Sequence, residues 1–347
     1  MHMADALISP MVGGAMWLAT AGLAAYSAQK VAKELDENKV PLMGVLGAFI
    51  FSAQMINFAI PGTGSSGHLG GAMILAILLG PHAAFLTIAS VLTIQALFFA
   101  DGGLLALGCN IFNLGFFPCF IAYPLIYKQI VGARPTQKRL FLGASLASII
   151  GLQLGAFGVV LETIFSGISD LPFTTFALLM QPIHLAIGIV EGLVTTAVIC
   201  FVWRERPEIL QKAAMSAPLG TLGIKPVLVG LLFVTVLTGG ALSWFASSNP
   251  DGLEWSLAKA TGVEERQEPE ADIYRILAGF QKNITFFPDY NFKEPEDIAV
   301  NAQQVRAQEV WPAVNSGKTI AGLVGAIMTL LLAGLIGKSL QLAIKRN

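Results

Sequence analysis

The chain has 347 residues, 54% hydrophobic and only 12% charged, with a formal net charge of −1 and a mean hydropathy of +0.68. Soluble domains carry about 25% charged residues, so a water-soluble globular fold is excluded. No basic patch points to nucleic acid, and the lipid bilayer is the first partner that the composition implies.

A spanning helix needs about 20 apolar residues. Taken in chain order, the sequence predicts spans at 8–27, 41–60, 83–100, 104–126, 140–165, 173–202, 227–246 and 319–336, with a shorter apolar run at 69–79. The first is not a cleaved signal sequence: only His2 and Asp5 precede it as polar groups, with no basic n-region. The N-terminus is therefore expected to persist. Basic residues cluster at Lys30, Lys33 and Lys39; at Lys128, Arg134, Lys138 and Arg139; at Arg204, Arg206, Lys212 and Lys225; and at Lys338, Lys345 and Arg346. The positive-inside rule makes these four regions cytoplasmic and puts the N-terminus outside and the C-terminus inside.

Parity then requires the short run 69–79 to cross as well. The expected fold is an all-α polytopic membrane protein: a seven-helix bundle over 1–215, then a two-helix module over 216–347 with an extracytoplasmic insert at 247–317. An 11-residue run covers only about 16 Å of about 30 Å of hydrocarbon. The preceding loop, Pro61 to His68 ("PGTGSSGH"), must make up the difference, dipping in from outside and lined by protein. Irregular backbone at membrane depth is where transporters hold their substrates. The insert opens on the turn signals Asn-Pro and Asp-Gly of "NPDGLEW" and is acidic through Glu264, Glu265, Glu268, Glu270, Asp272, Asp289, Glu294, Glu296 and Asp297. It reads as a soluble, partly ordered loop without a metal ligand.

The four histidines are His2, His68, His82 and His184. A free Met1 amine, the His2 peptide nitrogen and the His2 ring form a three-nitrogen chelate of the kind that suits square-planar Ni(II) or Cu(II). His68, in the dipping loop on the same membrane face, offers a fourth nitrogen. Gln54 and Asn57, one turn apart before that loop, are placed to hold its backbone or the His68 ring, with Ser66 and Asn110 as further supporting groups. His184 and Glu191 are seven residues apart on one helix face, where intramembrane ionisable groups serve either coupling or packing. His82 reads as interfacial. Cys109, Cys119 and Cys200 lack metal-ligand spacing and read as small hydrophobes. No phosphate loop is present: "LLAGLIGKS" has Leu332, and "VNSGKT" has Pro312 upstream, where the first glycine is required. The chain is expected to bind no nucleotide and to be no enzyme.

Four separated blocks, "MHMADALISP", "AQMINFAIPGTGSSGHLGG", "QALFFADGGLLALGCNIFNLGF" and "QPIHLAIGIVEGLVT", resemble the CbiM/NikM family of substrate-capture components in energy-coupling factor transporters for cobalt and nickel. "NPDGLEW" resembles the PDGLE or NikN-type accessory module, so the chain resembles a fused NikMN protein. The resemblance implies Met1, His2 and His68 as metal ligands. It also implies a transmembrane coupling component and two cytoplasmic ATP-binding subunits as partners, and a bacterial cell membrane location. The metal is a substrate. Neutral nitrogen ligands favour Ni(2+) over Mg(2+) and Ca(2+); Co(2+) is the alternative. An autonomous channel or secondary transporter is the competing class, and it would need free carboxylates such as Glu191, Glu162 or Asp101.

Overall fold

A chain in lipid has no water for its backbone amides, so apolar sequence becomes helix almost throughout. The computed structural model describes residues 2–345 apart from 35–37, 133–134, 170, 263–268, 270 and 294–310. Met1, Arg134 and Arg346 lie outside the described residues, as do Glu264, Glu265, Glu268, Glu270, Glu294, Glu296 and Asp297.

The N-terminal bundle runs α1 (Pro10–Glu34), α2 (Lys39–Gln54), α3 (Ala72–Leu79), α4 (Pro81–Phe99), α5 (Leu107–Val131), α6 (Gln137–Ser166) and α7 (Phe173–Glu205). In α5, Pro118 and Pro124 cannot donate to the ladder, and from Phe112 to Tyr127 the helix runs in the wider i→i+5 register. A short amphipathic helix, α8 (Pro207–Ala214), follows, and the C-terminal module begins with α9 (Lys225–Gly240) and ends with α12 (Ser316–Lys345). Helices α4 to α7 and α12 are long and apolar enough to cross a membrane; α2 and α9 are apolar but shorter. Leu185, Ile189 and Leu193 on the outer face of α7 are exposed, as lipid-facing side chains are. The chain is a multi-pass membrane protein.

Helix α12 lies against α2, where a Cβ on Gly44 would come within 2.9 Å of the Leu330 carbonyl oxygen. Small residues set the other close crossings. In α7, Gly188 and Gly192 bring that helix onto α6: added Cβ atoms would stand 3.0 Å from Ile149 Cα and 2.7 Å from Ser145 Cα. Gly192→Leu is therefore expected to force the two helices apart and lower stability by about 1–3 kcal/mol. Gly22→Leu on α1, where the new side chain meets open space, should be nearly silent. Thermal unfolding in detergent checks both, and equal melting of the two variants would remove the crossing as the cause.

Two expectations change. The span expected over 41–60 ends at Gln54. Phe58–Ile60 leaves the helix as β1 and pairs antiparallel with β2 (Ser65–Gly67), in the register Phe58 to Gly67, Ala59 to Ser66 and Ile60 to Ser65. The cause is the turn sequence Pro61-Gly62-Thr63-Gly64, whose two glycines take φ of +77° and +75°. It closes a hairpin in which Thr63 Oγ1 donates to the Ile60 carbonyl at 2.8 Å. The short apolar run is helical only as α3, all eight of whose residues are buried. At about 1.5 Å per residue it is about 12 Å long.

The insert is also more ordered than a loop. It contains α10 (Gly252–Thr261) and α11 (Asp272–Ile284). A complete capping box starts α10: the Asp251 carboxylate accepts from the Leu253 and Glu254 amides, and the Glu254 side chain accepts from the Asp251 amide. Tyr274 of α11 is 2% exposed and its hydroxyl donates to the Ile8 carbonyl at 2.9 Å. Gln281 Nε2 donates to the Ala96 and Gly102 carbonyls at 2.8 and 2.9 Å. The insert thus lies across the same end of the bundle as the N-terminal segment.

Candidate metal centre

Within residues 2–9 only Ala4 is exposed. Met3 is fully buried, and Asn110 holds its peptide at both ends: the Met3 amide donates to Asn110 Oδ1 at 2.8 Å, and Asn110 Nδ2 donates to the Met3 carbonyl at 3.2 Å. The Gly103 amide also donates to that carbonyl, at 2.9 Å. Asp5, likewise buried, accepts from the Ala106 amide at 2.9 Å. The segment can thread this closely because Gly103 has no Cβ; one there would collide with the Asp5 carboxylate.

His2 is thereby delivered to the end of α4. Its Nδ1 stands 3.0 Å from Asp101 Oδ1, and Asp101 Oδ2 accepts from the Tyr290 hydroxyl at 2.5 Å. Burial alone would raise the Asp101 carboxyl, but His2 and the Tyr290 hydroxyl outweigh it and hold the group below the usual carboxylate range. Burial and the neighbouring carboxylate push the Tyr290 phenol well above its usual value, so it remains a neutral donor.

His68 arrives from the hairpin. Gly67 packs so tightly on Ile187 of α7 that a Cβ would overlap that side chain. Beyond His68, the amides of Gly70 and Gly71 donate to the two carboxylate oxygens of Glu191, at 2.9 and 3.0 Å, and Gln54 Nε2 donates to the Gly70 carbonyl at 2.9 Å. Gln95 Nε2 in turn donates to Gln54 Oε1 at 2.9 Å. His68 Nδ1 faces the Leu69 carbonyl at 3.0 Å, which leaves Nε2 as the ring's lone-pair position. Burial pushes the His68 imidazole down to about 3, against the opposing effect of Asp101 and Asp251. The ring is therefore neutral at physiological pH. The His2 and His68 rings, far apart in sequence, end with centroids 5.0 Å apart and planes within 9°.

The other expected positions divide. Ser66 turns away from His68 toward the insert: its hydroxyl donates to the Asn249 carbonyl and its amide to the Pro250 carbonyl, both at 2.8 Å. Asn57 sits at the same junction, its carbonyl accepting from the Ser247 amide at 2.7 Å. His184 and Glu191 do not pair with each other. His184 Nδ1 bonds the Met180 carbonyl of its own helix at 2.8 Å, and its buried Nε2 has no partner among the described residues. His82 lies apart, with Nδ1 3.2 Å from the Ser27 hydroxyl and its ring against Tyr26 and Phe120. Glu162 is bound by Asn113 Nδ2 at 2.6 Å. Met1 itself is outside the described residues.

Asp101 reads in the sequence only as a carboxylate that the channel reading would need, and Tyr290 carries no local signal at all. The capping box of α10 does have a local signal, the "DGLE" pattern, which the reading of "NPDGLEW" as turn signals passes over.

Residues 2–209 match the family described as CbiM, cobalt uptake substrate-specific transmembrane region, and residues 225–342 match the PDGLE domain. The fused NikMN protein of Archaeoglobus fulgidus, whose name gives nickel transport as a presumed role, is 31% identical over 96% of this chain and 96% of its own. The fused nickel transport protein NikMN of Rhodobacter capsulatus is 32% identical over 63% of this chain and 66% of its own. A crystal structure of a truncated transition metal transporter, 30% identical, superposes with a TM-score of 0.53 and covers 59% of this chain and 99% of that one.

Proposed function

The chain belongs to the CbiM family of substrate-specific transmembrane regions and is a metal transport component, and from that premise we propose that it captures Ni(2+) outside the membrane for an ATP-driven importer. A transmembrane coupling component and two cytoplasmic ATP-binding subunits supply the energy. The ligands are the Met1 amine, the His2 amide nitrogen and ring, and His68. Four nitrogens in a plane suit a d⁸ ion, and the relative named for nickel transport matches 96% of this chain, which takes in the PDGLE region and favours nickel over cobalt.

The observation that carries this reading is the meeting of His2 and His68 at 5.0 Å. The loop and the N-terminal segment are each held by buried hydrogen bonds, which fixes the two rings before any metal arrives. The His2 amide and Nδ1 close a six-membered chelate ring, so the incoming ion takes Nδ1 from Asp101 and leaves that carboxylate beside it as a counter-charge. Tight engagement of Glu191, Glu162 and Asp101 also weighs against the channel or secondary-transporter reading, which needs carboxylates able to exchange a coupling ion.

The test is metal content. Purified full-length protein should retain nickel with the visible band of a square-planar site, and His68→Ala should lose both while inserting and eluting like the parent. Equal metal content in the two would remove His68 from the site.

A further inference from the structure

Between the hairpin and α7 lies a small enclosed cavity lined by Gly67, His68, Gly70 and His184 on one side and by Asp251 and Gly252 of the insert on the other. The insert is fastened at this spot. The Ser66 amide and hydroxyl bond the Pro250 and Asn249 carbonyls, and Trp255 Nε1 donates to the Thr63 carbonyl at 2.9 Å. Gly252 has no room for a side chain: a Cβ would stand 2.6 Å from Ile183 Cγ2 and 3.2 Å from His184 Cε1. Asp251 and Gly252, from the sequence Pro250-Asp251-Gly252-Leu253-Glu254, therefore form one wall of the cavity that His68 lines.

A wall of this kind brings a charge with it. The ligand set proposed above holds a divalent ion with neutral nitrogens and at most one deprotonated amide, so the loaded site keeps positive charge in a poorly solvated place. Such charge is costly unless it is compensated nearby. Asp101 stands on the His2 side, and Asp251 is the carboxylate on the His68 side.

We propose that Asp251 of the PDGLE segment is a positioning and charge-compensating residue of the metal site, so that the C-terminal module completes the site without contributing a ligand. The proposal rests on the assignment of His68 as a ligand. It gives the aspartate two separable tasks: its oxygen caps α10, and its charge stabilises the bound ion.

The two tasks come apart by substitution, because asparagine caps a helix about as well as aspartate but carries no charge. In the full-length protein, with nickel alone as the probe, Asp251→Asn is expected to keep the metal-free melting temperature of the parent. Its nickel affinity should fall by about 10- to 100-fold, the range typical of lost outer partners, and the position of the visible band should not change, because the ligands are the same. Asp251→Ala, which removes cap and charge together, should lower both affinity and metal-free stability. Asp251→Ser, another uncharged cap, serves if the asparagine variant does not fold. Parental nickel affinity in the uncharged, capped variant overturns the proposal. So does a metal-free melting temperature that falls in step with affinity, which would make Asp251 a packing residue. A moved band would make it a ligand and also overturns it. His68→Ala measured in parallel separates the two readings: if that variant binds nickel like the parent, the ligand assignment is what has failed.

Discussion

One alanine placed ahead of Met1, with every side chain unchanged, is expected to weaken nickel binding as severely as His2→Ala does. The α-amine moves one residue out, and its former nitrogen becomes a peptide nitrogen that must lose a proton to bind metal. The new residue must also fit where Met3, Asn110 and Gly103 already hold the segment by three hydrogen bonds. The loss should exceed the roughly 10- to 100-fold cost of removing an outer partner, since a ligand is displaced. Mass spectrometry must first show that the added alanine and Met1 both remain. Nickel binding and uptake at parental levels in that verified protein would eliminate the amino-terminal chelate.

The second large effect is expected at Glu191, far from the N-terminus. Its carboxylate is the acceptor for two buried amides, those of Gly70 and Gly71, immediately after His68. Glu191→Ala strands both donors, at about 1–3 kcal/mol each, and frees the loop that aims His68. Metal-free stability and nickel affinity should fall together, affinity by about 10- to 100-fold. Glu191→Gln retains one acceptor oxygen but turns an amide donor toward a backbone donor, so it should fall between the two. Thermal melting and nickel titration give both quantities. An alanine variant that melts and binds like the parent would show that the loop is held by something else.

Much of this was legible in the sequence, because the constraints involved are local or periodic. Apolar run lengths placed the helices of the bundle, since a bilayer fixes how many residues must be apolar. The short run 69–79 announced an irregular approach, and the hairpin is that approach. Gln54, which the sequence places before the loop and one turn from Asn57, donates to the Gly70 carbonyl. What escaped was everything set by tertiary folding. The end of α2 at Gln54 is decided by a strand partner that apolarity does not reveal. Glu191 bonds backbone amides, and amides carry no residue signature. Asn57 and Ser66 face the insert because the insert docks there, and docking of an acidic, loop-like segment leaves no periodic mark. Tyr290 reaches Asp101 from 189 positions away; a lone tyrosine among turn residues gives no hint of its partner.

The C-terminal module is tied to the bundle by α12 along α2 and, through its insert, by the segment before α10 on the hairpin and by Tyr274, Gln281 and Tyr290 at the N-terminal end. Within one polypeptide the first attachment presents the second at an effective concentration in the millimolar range or so. The contact at Ser66 can then be individually weak and still be occupied nearly all the time, whatever the amount of protein in the membrane. Carried on a separate polypeptide, the same surface would have to win its place by affinity, and its occupancy would follow the ratio in which the two genes were expressed. Fusion thus turns a dosage-dependent encounter into a fixed feature of each molecule.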